Sequence, residues 1–213
     1  MNLDLELYRR DVTTPDGVRL SVIDVDAGHT QGALLFLHGF GGMATQWAKQ
    51  MLFFAEEYRL IAPDLRGHGR SAKPNPGLSR ANGRANGRAN GSHYTMEEML
   101  ADVEQALAQL RAPQKVMVLG HSFGGALAAA FAVAHPDRVE KLIVVGTAAD
   151  FTLSAPLRAA FNFLPASIFE PIRARFIRGL YAPTHVLKSF YFNAMRPFDG
   201  SIYAQVSAPA LVI

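Results

Sequence analysis

The 213-residue sequence predicts an α/β protein with a mostly parallel central sheet and helices on both faces. Three observations predict it. Short, wholly apolar runs over 33–37, 116–119 and 142–145 have the pattern of strands buried on both faces. Between them lie helix-length segments whose apolar residues recur on one face, as in Met99, Leu100, Val103, Ala106, Leu107 and Leu110. The two patterns alternate, which implies crossover connections and parallel pairing.

The elements follow in order. Residues 5–10 and 18–25 read as two strands. Thr14-Pro-Asp-Gly17 between them places proline and glycine where a type I turn wants them, so the pair is a β-hairpin. Ala33-Leu-Leu-Phe-Leu37 is a buried strand. Residues 44–58 read as a helix that buries Trp47, Met51, Leu52 and Phe54, and 58–62 as a strand ending at Pro63. Thr95-Met-Glu-Glu98 is a capping box that opens the next helix. Then come a strand over 116–119, a helix over 122–134 stopped by Pro136, and a strand over 142–145.

Arg80-Ala-Asn-Gly-Arg-Ala-Asn-Gly-Arg-Ala-Asn-Gly91 is a tetrapeptide repeated three times. Asn-Gly pairs favour turns, so 79–92 reads as a flexible surface loop. Without aromatics to stack bases it is a poor nucleic-acid arm. From 151 to 206 the strand–helix alternation stops. This segment holds 8 of the 14 phenylalanines and is broken by Pro156, Pro165, Pro171, Pro183 and Pro197. It reads as several short helices forming an excursion from the sheet, after which 207–213 starts another core strand.

Composition bounds the function. Hydrophobic residues make up 49% and charged residues 18%, enough for one sizeable core. There is no cysteine, hence no disulfide framework and no thiolate chemistry. The acidic, alternating N-terminus is no secretory signal, and the longest apolar run, 126–134, is too short to span a bilayer. A cytoplasmic protein with no membrane span is expected. The net charge of +3 is matched by Arg80, Arg84 and Arg88 of the repeat, so it does not indicate a nucleic-acid partner. No His/Asp/Glu group has ligand spacing in the sequence, so neither a metal nor an organic cofactor is expected.

The chemistry centres on Gly120-His-Ser-Phe-Gly124, a G-x-S-x-G motif set between a strand and a helix. Glycines two residues to either side let the turn tighten and hold Ser122 in a strained conformation, with its hydroxyl at the carboxyl edge of the sheet. The glycine-rich segment His38-Gly-Phe-Gly-Gly42 follows an earlier buried strand. There the Phe40 amide, with that of Phe123, is placed to meet the oxygen of a tetrahedral intermediate. A phosphate cradle fits less well, because the lysine of a P-loop is lacking.

With these motifs the chain resembles the α/β-hydrolase fold family of esterases, lipases, carbon–carbon bond hydrolases and haloperoxidase-like enzymes. The match is carried by His38-Gly-Phe-Gly-Gly42, Asp64-Leu-Arg-Gly-His-Gly-Arg-Ser71, Gly120-His-Ser-Phe-Gly-Gly125 and His135-Pro-Asp-Arg-Val139. The resemblance implies Ser122 as nucleophile, Phe40 and Phe123 as oxyanion hole, residues 1–150 as hydrolase core and 151–206 as a helical lid. Serine at 122 disfavours the aspartate-nucleophile branches of the family. The implied activity is hydrolysis of a small, apolar ester or related acyl substrate; the alternative is a non-catalytic, ligand-binding homologue.

Serine needs a base, and the family order is Ser, then acid, then His. After Ser122 the histidines are His135 and His185. His135 ends the elbow helix and reads as structural, the His121 side chain is expected to point away from the elbow, and His38 and His68 read as organising backbone. His185 with Asp150 offers one triad in the right order. The other account is that the last strand and helix of the fold, carrying the acid and the histidine, are missing through truncation, so the chain as written is expected to turn over little substrate.

Overall fold

The computed structural model describes residues 4–26, 28, 31–74, 93–176 and 179–213. The repeat loop expected at 79–92 lies outside them. Seven strands form one sheet: β1 (Arg9–Thr13), β2 (Arg19–Val25), β3 (Ala33–Leu37), β4 (Arg59–Pro63), β5 (Val116–His121), β6 (Val139–Val145) and β7 (Ala210–Val212). Their spatial order is β1-β2-β4-β3-β5-β6-β7. β1 and β2 pair antiparallel with each other, and β2 with β4; every other pair is parallel.

The apolar strands sit at the centre, where both faces are covered. β3 is buried at every position. Its residues alternate: Leu35 and Leu37 join the core formed with α2 (Met96–Gln109) and α3 (Phe123–Ala134). Leu34 and Phe36 join a smaller core on the opposite face, with Trp47 and Met51 around α1 (Ala48–Phe54). α3 is alanine-rich because Ala126, Leu127, Ala128, Ala129 and Phe131 are all fully buried.

Several expectations hold at residue level. The Thr95 hydroxyl accepts the Glu98 amide at 3.2 Å and the Glu98 carboxylate accepts the Thr95 amide at 3.0 Å, closing the capping box. The hairpin turn closes with Gly17 at φ 84° and the Thr14 amide on the Val18 carbonyl at 2.9 Å.

Other expectations need correction. The first strand is not 5–10: Leu5–Tyr8 is a 3-10 turn, capped by Asp4 accepting the Glu6 amide at 3.1 Å, and the strand begins at Arg9. The alternation there misled because only Leu5 is buried, whereas Leu7 is 79% exposed. The helix expected over 44–58 is a 3-10 turn, Ala44–Trp47, followed by the short α1. Trp47 and Met51 are buried, but Leu52 is 39% exposed and buries no core face. Past the sheet lie α4 (Ala155–Phe163), α5 (Ala166–Phe176) and α6 (Thr184–Phe190), then a π turn and a 3-10 turn. Pro165 separates α4 from α5 and Pro183 caps α6, whereas Pro156 and Pro171 lie inside helices.

Candidate active site

The chain runs from β3 to β4 on one side and returns to β5 on the other. Between β3 and β5 the connections therefore leave in opposite directions, which opens a crevice at the carboxyl ends of these strands. Residues 38–42 and the Gly120–Gly124 turn meet there.

Ser122 stands between β5 and α3 with φ 53° and ψ −124°, a region seldom entered by residues other than glycine. The surroundings hold it there. Its amide donates to the Val145 carbonyl at 2.9 Å, and its carbonyl accepts the Gly125 amide at 2.9 Å. Glycine at 120 and 124 is a matter of space: a Cβ on Gly120 would lie 2.2 Å from the Gly124 carbonyl oxygen, and one on Gly124 would lie 2.2 Å from the Leu37 oxygen. Ser122 is half-buried, and its hydroxyl bonds to no described residue.

Residues 38–42 lie against the turn. A Cβ on Gly39 would sit 3.1 Å from the Ser122 Cβ. The amides of Phe40 and Phe123 donate to no described residue, Phe123 being the first residue of α3. Aromatic rings gather around both: Phe190 of α6 packs 4.7 Å from Phe123 and 5.7 Å from Phe40, and Phe151 lies 5.7 Å from Phe123. Residues 180–181 cover the same loop. The Tyr181 amide donates to the Gly41 carbonyl at 2.7 Å, and the Gly69 amide to the Tyr181 carbonyl at 2.9 Å.

No described histidine bonds to Ser122. His38 is buried; its Nδ1 donates to the Gly39 carbonyl at 2.8 Å and its Nε2 accepts the Leu65 amide at 2.9 Å. Burial pushes its pKa down to about 4. His68, also buried, donates from Nδ1 to the Arg66 carbonyl at 3.0 Å; burial, then neighbouring His38, lowers it to about 3. Both hold loops rather than exchange protons. His121 is exposed, and His135 packs on Phe131 at the end of α3. Asp150 is exposed and accepts the Thr152 amide at 3.1 Å, and it shares neither hydrogen bond nor ion pair with His185 on α6.

Two further groupings lie away from the serine. Three potential metal ligands that the sequence does not reveal, Asp16, His93 and Glu98, have ligand atoms within 4.8 Å of one another. Arg66 already stands among the acids, 3.2 Å from Asp16 and 3.6 Å from Glu98, so charge there is balanced by a guanidinium. An open concavity of about 580 Å³ on the β1–β2 ribbon is lined by Arg9, Arg10, Asp11, Arg19, Ser21 and Arg70; Ser122 is not part of it. Among the described residues no helix is long and apolar enough to cross a membrane.

The motif Asp64–Ser71 was legible without its role. Buried Asp64 accepts the Ala44 amide at 2.6 Å, the Arg70 amide at 2.8 Å and an Arg9 guanidinium nitrogen at 2.9 Å. It thereby ties the loop carrying Phe40 to the end of β4. Sequence reading also missed Thr147, whose hydroxyl donates to the Ser122 carbonyl at 2.7 Å; a lone threonine beyond a strand gives no signal.

Comparisons with known proteins agree with this fold. Residues 32–184 match the family described as alpha/beta hydrolase fold. The chain is 33% identical over 141 residues to epoxide hydrolase 2 of Siraitia grosvenorii, covering 65% of this chain and 39% of that protein. It is 30% identical to a 2-hydroxy-6-oxo-2,4-heptadienoate hydrolase of Pseudomonas putida, covering 78% and 54%. The chain thus spans about half the length of such relatives or less. A crystal structure of a hydrolase from Pseudomonas aeruginosa superposes with a TM-score of 0.71 at 24% identity, covering 96% of this chain and 78% of that one. The chain belongs to the α/β-hydrolase fold family.

Proposed function

We propose that the protein is a serine hydrolase acting on a small, apolar ester or related acyl substrate. One observation carries the reading: Ser122 is held at a positive φ at the carboxyl end of β5, and among the described residues its hydroxyl and the nearby Phe40 and Phe123 amides have no hydrogen-bond partner. In the reaction the Ser122 oxygen attacks the acyl carbon, and the carbonyl π electrons move onto its oxygen. The amides of Phe40 and Phe123 hold that oxyanion, favoured by the N-terminus of the 12-residue α3. Collapse expels the alcohol, and water then releases the acid from Ser122. The proton of Ser122 passes to a general base, which returns it to the departing alcohol. The helices over 155–190 act as a cap, and the rings of Phe40, Phe123, Phe151 and Phe190 suit an apolar acyl group.

A fluorophosphonate probe tests this. Mass mapping of the treated full gene product is expected to place the adduct on Ser122, and Ser122→Ala is expected to abolish it. A folded protein that takes no adduct at Ser122 overturns the catalytic reading and leaves a ligand-holding homologue.

A further inference from the structure

The carbonyl of Ser122 is pinned from a direction that helix α3 alone does not supply. The Thr147 hydroxyl donates to it at 2.7 Å, in addition to the Gly125 and Ala126 amides at 2.9 and 3.4 Å. Thr147 follows Gly146, just past the end of β6. It approaches this closely because residue 125 is glycine: a Cβ there would lie 2.8 Å from the Thr147 Cβ.

Thr147 is itself braced. Its hydroxyl proton is used on Ser122, so its oxygen can only accept from the Tyr203 hydroxyl, 3.1 Å away, whose single proton is shared with the Ala148 carbonyl, also at 3.1 Å. Tyr203 belongs to the turn Gly200–Gln205, which packs so tightly on residue 149 that a Cβ at Gly200 would lie 2.5 Å from the Ala149 oxygen. Rings close the circuit from Tyr203 to Phe198, Phe151 and Phe123, with centroids 5.7, 5.6 and 5.7 Å apart. Phe123 adjoins Ser122.

The Ser122 C=O and the Phe123 N–H belong to one planar trans peptide and point in opposite directions. Fixing the oxygen therefore fixes the amide. We propose that Thr147, braced by Tyr203, is a positioning residue that aims the Phe123 amide at the oxyanion and keeps Ser122 in its strained backbone. This deepens, and rests on, the reading of Ser122 as nucleophile.

The test measures fluorophosphonate inactivation of the full gene product, separating the maximal rate from the probe's half-saturating concentration. Thr147→Val is expected to lower the maximal rate about tenfold or more with half-saturation unchanged, since misplacing one oxyanion donor carries penalties of that order. Thr147→Ser is expected to restore it to within about twofold, and Tyr203→Phe to give a smaller fall. A Thr147→Val protein that reacts at the wild-type rate overturns the proposal, as does a loss that Thr147→Ser does not restore. If Thr147→Val does not fold, a wild-type maximal rate in Tyr203→Phe overturns the bracing. Absence of any adduct on unsubstituted protein instead overturns the nucleophile reading. The brace is then judged by a crystal structure of Thr147→Val, where an unchanged Ser122 φ and Ser122–Phe123 peptide orientation refute it.

Discussion

Asp64 accepts the amide of Ala44 at 2.6 Å, joining the end of β4 to the first turn after the Phe40 loop. Because the same carboxylate receives Arg9 and the Arg70 amide, three donors converge on one buried acid. Asp64→Asn turns one acceptor into a donor facing donors. A loss of about 3 kcal/mol in unfolding free energy is expected, read from urea denaturation.

His38 and His68 make stability depend on acidity. Both are held neutral by burial, with folded values of about 4 and about 3 against an ordinary 6.5. Below pH 6.5 the unfolded chain binds protons that the fold refuses, so stability is complete above that value and falls as pH drops toward 4. His38 alone accounts for roughly 3 kcal/mol. Unfolding midpoints equal at pH 7.5 and pH 4.5 contradict this.

Arg66 and Asp102, with side chains 2% and 5% exposed, form a bidentate pair, and Arg66 is raised by Asp102 against the opposing pull of burial. Asp102→Asn leaves a buried guanidinium underpaired and is expected to cost about 3 to 5 kcal/mol. Asp11→Asn, whose Arg19 pair is 63% and 48% exposed, is expected to change stability by less than about 1 kcal/mol. Parallel thermal melts compare the two.

Gly124→Ala brings a methyl to 2.2 Å from the Leu37 oxygen and 2.6 Å from the His38 oxygen, neither of which is the tip of a flexible side chain. Separation of α3 from β3 is expected to cost upward of about 2 kcal/mol and to abolish Ser122 labelling. Retained labelling with native stability shows that the close approach is dispensable.

Ser122→Gly removes a Cβ from a backbone that glycine adopts freely, and no hydrogen bond of the side chain is lost. The variant is expected to lose labelling yet unfold about 1 kcal/mol later than wild type, part of the strain being released. A lower midpoint indicates that the conformation carries no strain.

The sheet was legible in the sequence because its central strands are apolar on both faces, a pattern no surface element shares. The elbow was legible because tight sterics admit only glycine at 120 and 124. The first strand was not: Leu5 and Leu7 alternate like strand residues, but Asp4 captures the Glu6 amide and winds a turn. Thr147, Tyr203 and the role of Asp64 were illegible because each acts on groups distant along the chain. Those contacts exist only once β6, the 200–205 turn and the Phe40 loop are brought together.

Tyr181 is stitched to Gly41 on one side and Gly69 on the other, while α6 beyond it buries Val186, Leu187 and Phe190. α4 and the first turn of α5 instead present Phe163 and Ile168 to solvent. The excursion is nonetheless tied along its length: Glu170 of α5 accepts the Thr184 amide at 2.7 Å, and Lys188 of α6 donates to the Leu164 carbonyl at 2.6 Å. Parting α4 and α5 from α6 therefore has to break those two bonds first, even where the Tyr181 stitches to Gly41 and Gly69 stay whole.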